Sequence, residues 1–157
     1  MPLPFALPPL DEVLLRGRAD ALAALARAGF GPYATPIHLD AERRRLLNVD
    51  LTEPDAGLSR GGELVAVAHV EADRAGQVTV VELTAAIAAA PEDVAAAWLG
   101  EAGEPQVSGD ADARQWVWGP ESGSAATVNG EPVRLWVCAE RAYGDRLWAV
   151  ASIVRRG

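Results

Sequence analysis

The chain has no lysine, one cysteine, two histidines and one methionine among its 157 residues, and aromatic side chains make up only 6% of it. A lone thiol, Cys138, cannot close an internal disulfide and leaves no paired-cysteine spacing for zinc, so a reducing compartment is expected. With His38 and His69 the only imidazoles and no His/Asp cluster at ligand spacing, the sequence predicts neither a metal site nor a cofactor site. Acids outnumber arginines 22 to 14, for a formal net charge of −8 and a pI near 4.7. A field of that sign repels phosphate backbones, so no direct nucleic-acid binding is expected. Arg43-Arg44-Arg45 and Arg155-Arg156 read as solvated charges at a turn and a terminus. No run reaches the ~18 uninterrupted apolar residues of a membrane span. The opening stretch Met1 to Pro9 lacks a basic n-region and is interrupted by prolines, so neither membrane insertion nor export is expected, and the location read from the sequence is cytoplasmic.

What is there is an ordinary folded composition, 50% apolar and 23% charged, enough for one domain over 1–157. The class is α+β: an N-terminal helix, an antiparallel β-sheet, a second helix, then further antiparallel strands. Residues 1–10 form a proline-rich arm, since each proline fixes φ and pushes its predecessor out of the helical region. Residues 11–103 read as helix, strands and helix. The first helix spans 11–28, with Asp11 as N-cap, Leu10 and Leu15 as a staple, Leu15, Ala19, Leu22 and Ala26 on one face, Gly29 as stop and Phe30 folding back. Two short strands follow at 35–39 and 45–51, the second from the alternation of Leu47, Val49 and Leu51; a short helix capped by Asp40 through Arg45 fits as well. After a loop over 53–62 rich in Pro, Asp and Gly, Glu63 to Glu71 and Gln77 to Leu83 form a hairpin, its first strand central in the sheet. Pro91, Glu92 and Asp93 open a helix over 91–102 that buries Val94, Ala97 and Trp98 and stops at Gly103. Residues 106–157 carry four strands, 114–118, 125–128, 133–139 and 147–154, with Asn129-Gly130 the strongest turn signal.

Nucleophile and acid–base readings lack partners. Cys138 sits in mid-strand as a small buried apolar group, and His38 and His69 alternate among strand residues as half-exposed side chains. Asp110 with Asp112, or Glu92 with Asp93, does not have the donor spacing of a calcium loop, and Gly57, Gly61 and Gly62 do not join a strand to a helix as a phosphate loop would. No catalytic residue is named. The concentrated feature is tryptophan: Trp116, Trp118, Trp136 and Trp148 all lie beyond residue 115. Trp116 and Trp118 face the same way, Trp136 and Trp148 come roughly opposite each other across the last hairpin, and an aromatic cluster on one sheet face is predicted. It is a core packed by alanine-rich helices, an exposed patch for a protein partner or dimer mate, or the wall of a ligand pocket with Arg114 at its rim.

Through Leu22-Ala23-Ala24-Leu25-Ala26-Arg27-Ala28-Gly29-Phe30, the strands to Leu83 and the helix at 91–102, the chain resembles the YbjN family and the related class I type III secretion chaperones. The resemblance covers about the first two thirds and rests on element order and composition. It implies a small acidic dimer that acts by binding other polypeptides, and it carries over no functional residue; those proteins close on a helix, this chain on a tryptophan-rich strand. The sequence therefore leads to a non-enzymatic, homodimeric, protein-binding or chaperone-like module with Arg114, Trp116, Trp118, Trp136 and Trp148 as its contact residues. The alternative is a small-ligand-binding domain or an enzyme whose site is assembled from scattered Asp, Arg and Trp. Where the tryptophans point decides between them.

Overall fold

A computed structural model describes residues 3–33, 41–49, 53–88, 90–100, 103–141 and 144–154. Its first helical stretch is broken in two, α1 (Leu10–Val13) and α2 (Arg18–Arg27), where the sequence predicts one helix over 11–28. The break is tertiary in origin. Leu15 N donates to Val78 O at 2.7 Å and Val78 N to Arg16 O at 2.8 Å, and Gly17 bridges Gln77, so the chain between the helices leaves the helical path to pair with a strand start. Pro9, not Asp11, stands at the N-cap of α1, which has no side-chain cap. The interruption also resets the helical phase: Ala21, Ala24 and Leu25 are buried, whereas Ala19 and Ala26 are exposed. The predicted stop holds. Gly29 takes φ +103°, its N–H reaches Ala26 O at 3.0 Å and Phe30 N reaches Leu25 O at 2.9 Å, the paired bonds that close a helix through a left-handed residue. Phe30 folds back into the core at 1% exposure.

Strand β1 (Gly31–Pro32) is followed by α3 (Ala41–Leu46), which replaces the strand predicted from residue 45 and takes the helical option instead. The period-two signal of Leu47 and Val49 is local coincidence: Asn48 adopts φ +59°, and Leu47 turns inward against Leu64 and Val67. Arg146 secures this end of α3, its Nη1 donating to the carbonyls of Arg45 (3.0 Å) and Leu46 (3.3 Å) and to Asn48 Oδ1 (2.9 Å). The strand predicted over 35–39, with His38, lies outside the described residues, as do Asp40, Leu51 and Arg155-Arg156.

The stretch 53–62 contains a strand, β2 (Ala56–Arg60), turned back by Gly61 and Gly62 onto β3 (Glu63–Ala72). Alanine, glycine and serine disguise it, because its order comes from pairing with β3 and not from its own β-propensity. The hairpin of β3 with β4 (Val78–Ala85) is as predicted, and β3 is interior to the sheet. Asp73 Oδ1 closes its turn by accepting from Ala75 N and Gln77 N, both at 3.0 Å. Helix α4 (Pro91–Leu99) begins on Pro91 and ends one turn early at Gly100, and it buries Val94, Ala95 and Trp98 while Ala97 faces out.

The last third carries β5 (Gln106–Gly109), unanticipated because all four residues are exposed, then β6 (Ala113–Trp118), a 3-10 turn at Pro120–Ser122, β7 (Thr127–Val128), β8 (Glu131–Arg141) and β9 (Asp145–Ile153). Asn129 and Gly130 both take positive φ in the tight turn between β7 and β8. All pairings are antiparallel and form one sheet in the order β1-β2-β3-β4-β9-β8-β6-β5, with β7 on β8. The fold is α+β. One face lies under α1, α2, α4 and the arm. Phe5 meets Phe30 edge to face at 5.9 Å and Trp98 Nε1 donates to Pro8 O at 3.0 Å, so the arm from Leu3 onward is docked on its own chain. On the other face α3 and Leu47 cover one end through a smaller cluster.

Candidate functional site

The antiparallel register divides the four C-terminal tryptophans between the two faces. Trp116 stands opposite Val137 and Trp118 opposite Leu135, so both point to the face under the helices, and Trp118 is buried at 2% exposure. Trp136, between the inward-facing Leu135 and Val137, and Trp148, between Leu147 and Ala149, are of the opposite parity and point to the other face. The single aromatic cluster expected from the sequence is thus corrected to two pairs, since neighbouring strands share side-chain direction only at paired positions.

Trp136 is opposite Val150 and Trp148 opposite Cys138, a diagonal relation in which the rings meet edge to face, centroids 5.0 Å apart at 88°. Each indole is fixed by its N–H: Trp136 Nε1 donates to Gln115 Oε1 at 3.1 Å and Trp148 Nε1 to Glu82 Oε1 at 2.6 Å. Val117, Val150 and the two rings form a half-buried apolar centre on strands β6, β8 and β9, and no described helix lies across it. The charges around it are already engaged: Arg134 with Glu121, Arg146 with Glu140, and Glu82 with the Trp148 N–H. Cys138 lies beneath this centre, and burial first, then the charge and hydrogen bond of Glu140, push its thiol up to about 11. It is protonated at neutral pH.

Beside the patch, between the α3 turn and strands β3, β4 and β9, is a pocket of about 90 Å³ walled by Leu47, Pro54, Val67 and Trp148, with Thr84, His69 and Glu82 as polar groups. Behind His69 sits Asp55, 10% exposed, its Oδ2 accepting Val70 N at 2.9 Å and lying 3.0 Å from His69 Nδ1, and its other oxygen paired with Arg18. The imidazole contact is an approach and not an aligned hydrogen bond, because His69 Nδ1 has no partner along its N–H direction. Burial is the largest single influence on Asp55 and raises its pKa. The Val70 N–H, the Arg18 hydrogen bond and charge, and His69 together outweigh burial and hold the carboxyl below its ordinary 3.8. His69 is therefore more than the isolated half-exposed side chain read from the sequence. Asp55 was invisible there, because a carboxylate in a Pro/Asp/Gly-rich segment carries no sign of the strand across which it bonds.

A second, wider groove of about 410 Å³ lies on the helix-covered face at the start of α4, with Trp116 half-buried in its wall and Arg114 at its rim. Arg141 pairs with Asp145 at 3.7 Å, and Asp110 caps its own turn through Asp112 N and Ala113 N. Trp118 does not line it; that tryptophan belongs to the core. Among the described residues no group of three or more His, Cys, Asp or Glu is placed to hold a metal ion, and no helix is long and apolar enough to cross a membrane. Comparison of the chain with protein-family models, with curated proteins and with solved structures finds no match.

Proposed function

We propose that this chain is a non-enzymatic protein-binding module that acts as a homodimer, two copies meeting through the sheet face that carries Trp136 and Trp148. The observation that carries the reading is the Trp136–Trp148 pair itself: two half-exposed indoles locked edge to face on a sheet face that no described helix crosses there. Rings already held by Gln115 and Glu82 lose little freedom on docking, and tryptophan dominates binding hot spots. Covering the patch leaves the charges of Arg134, Arg146 and Glu140 paired within the chain, while Glu82 beside it lines the adjoining pocket. A second copy offers the same neutral apolar centre. This answers the problem that two molecules of net charge −8 otherwise repel. The buried, protonated thiol of Cys138 supports a binding role over nucleophilic chemistry. The helix, the antiparallel run β2–β4 and helix α4 follow the order that the YbjN-like resemblance implies, and the single cysteine suits a cytoplasmic setting.

The test is multi-angle light scattering at micromolar concentration. Wild type is expected at twice the 16.5 kDa chain mass, and Trp136→Glu at the monomer mass with an unchanged far-UV spectrum. An Arg114→Ala control, on the opposite face, stays dimeric. A wild-type monomer under these conditions overturns the dimer.

A further inference from the structure

We infer that the pocket beside His69 binds a small organic cation, an alkyl- or arylammonium with an apolar body. The inference goes beyond the dimer and stands without it.

Size and lining set the body of the ligand. The pocket holds about 90 Å³, less than the ~150 Å³ sealed apolar cavity that accommodates a benzene molecule, but it opens to solvent on one side, so it admits a short alkyl chain, or an ammonium and its methylene with a ring left at the mouth. Leu47, Pro54 and Val67 supply apolar walls and Trp148 an aromatic one. A large or strongly polar ligand is excluded.

Charge sets the sign. Three carboxylates surround His69: Asp55 Oδ2 at 3.0 Å from Nδ1, Glu71 Oε1 at 3.7 Å from Nε2, and Glu82 as its register partner on β4. The nearby cations are consumed elsewhere, Arg18 by Asp55 and Arg146 by Glu140, Asn48 and the α3 carbonyls. Glu82 has one oxygen occupied by the Trp148 indole N–H, while its Oε2 has no hydrogen-bond partner among the described residues. The pocket is therefore apolar with a negative residue at its wall, which repels anions and leaves neutral molecules without a charged partner. The carboxylates do not converge as the ligands of a metal ion would. An ammonium supplies the donor that Glu82 Oε2 lacks, while its apolar body lies among Leu47, Val67 and Trp148.

The probes are benzylammonium, benzyl alcohol and benzoate, titrated while the Trp148 Nε1–H signal is followed by NMR, assigned by its loss in Trp148→Phe. Benzylammonium is expected to shift that signal saturably and benzoate to leave it unmoved. Glu82→Gln keeps an acceptor for the indole and removes the charge; benzylammonium should then bind roughly tenfold more weakly, the loss of one charge-assisted bond, with benzyl alcohol unaffected. Leu47→Phe, which fills the pocket, should abolish the shift. Equal affinity for benzoate, unchanged affinity in Glu82→Gln, or no saturable shift with benzylammonium at millimolar concentration each overturns the assignment. Repeating the titration in Trp136→Glu separates the two readings. A monomeric wild type that still binds benzylammonium removes the dimer and leaves the pocket; a dimer blind to the probe does the reverse.

Discussion

Asp55 does at residue scale what the fold does at large: it ties a helix, a loop and a strand together through one carboxylate, contacting Arg18, Val70 N and His69. Because its folded carboxyl titrates below 3.8, the ionised form contributes stability that is complete above about pH 5 and is lost as pH falls through the folded value. Asp55→Asn is expected to lower stability at pH 7 by about 1–3 kcal/mol, the cost of charge-assisted bonds to a mostly buried group. It should also flatten the acid limb, so that urea midpoints of variant and wild type converge towards pH 3. A constant gap between them from pH 7 to pH 3 would show that the carboxylate charge contributes nothing. At this scale the sequence was informative about tryptophan and about His69 as a half-exposed strand side chain, and silent about the contact between Asp55 and His69. A rare large side chain announces itself by type, but an ion pair across elements depends on coordinates that neither residue's neighbours encode. Even for tryptophan the parity was legible only within a strand. That Trp116 and Trp136 oppose each other's faces follows from the β6–β8 register, which no local pattern specifies.

Elements were legible where their determinants are local. Gly29, the Asp73 turn, Pro91 at the start of α4 and Asn129-Gly130 are each set by backbone chemistry within a few residues, and each stands as read. Elements were misread where a distant partner decides them. The α1–α2 break answers to Val78, α3 to Arg146, and β2 to β3. Strand β5 was missed for a different reason: it is a fully exposed edge, and its hairpin with the neighbouring β6 rests on Gly109 at φ +91°. A Cβ there would stand 2.1 Å from the Ala113 carbonyl oxygen, so any other residue forces the turn's backbone to shift and strains its positive φ. Gly109→Ala is expected to strip amide-exchange protection from β5 while β8 and β9 stay protected, because β6 keeps its pairing with β8. Retained protection in β5 would mean that the turn relaxes around the added methyl.

For the whole molecule, the decisive contact is between β4 and β9, where Val80 to Ala85 pair with Ser152 to Leu147 and join the two halves into one sheet. The core on the helix side is correspondingly shared, with Val70, Val81 and Leu83 from one half packed beside Leu135, Val137 and Leu147 from the other. Unfolding is therefore expected as one transition, with urea midpoints from far-UV circular dichroism and from tryptophan fluorescence coinciding. Separate midpoints would show the C-terminal strands melting as a unit of their own. By itself the sequence determined the α+β class, the acidic field, most turns and the presence of a tryptophan-rich C-terminal third, all consequences of composition or of chemistry within a few residues. Only the tertiary structure decided which face each tryptophan occupies, that Asp55 and His69 meet beside a pocket, and that the first helix breaks. Each of those rests on pairing between segments far apart in the chain, where the free energy of a contact belongs to both partners and can be read from neither alone.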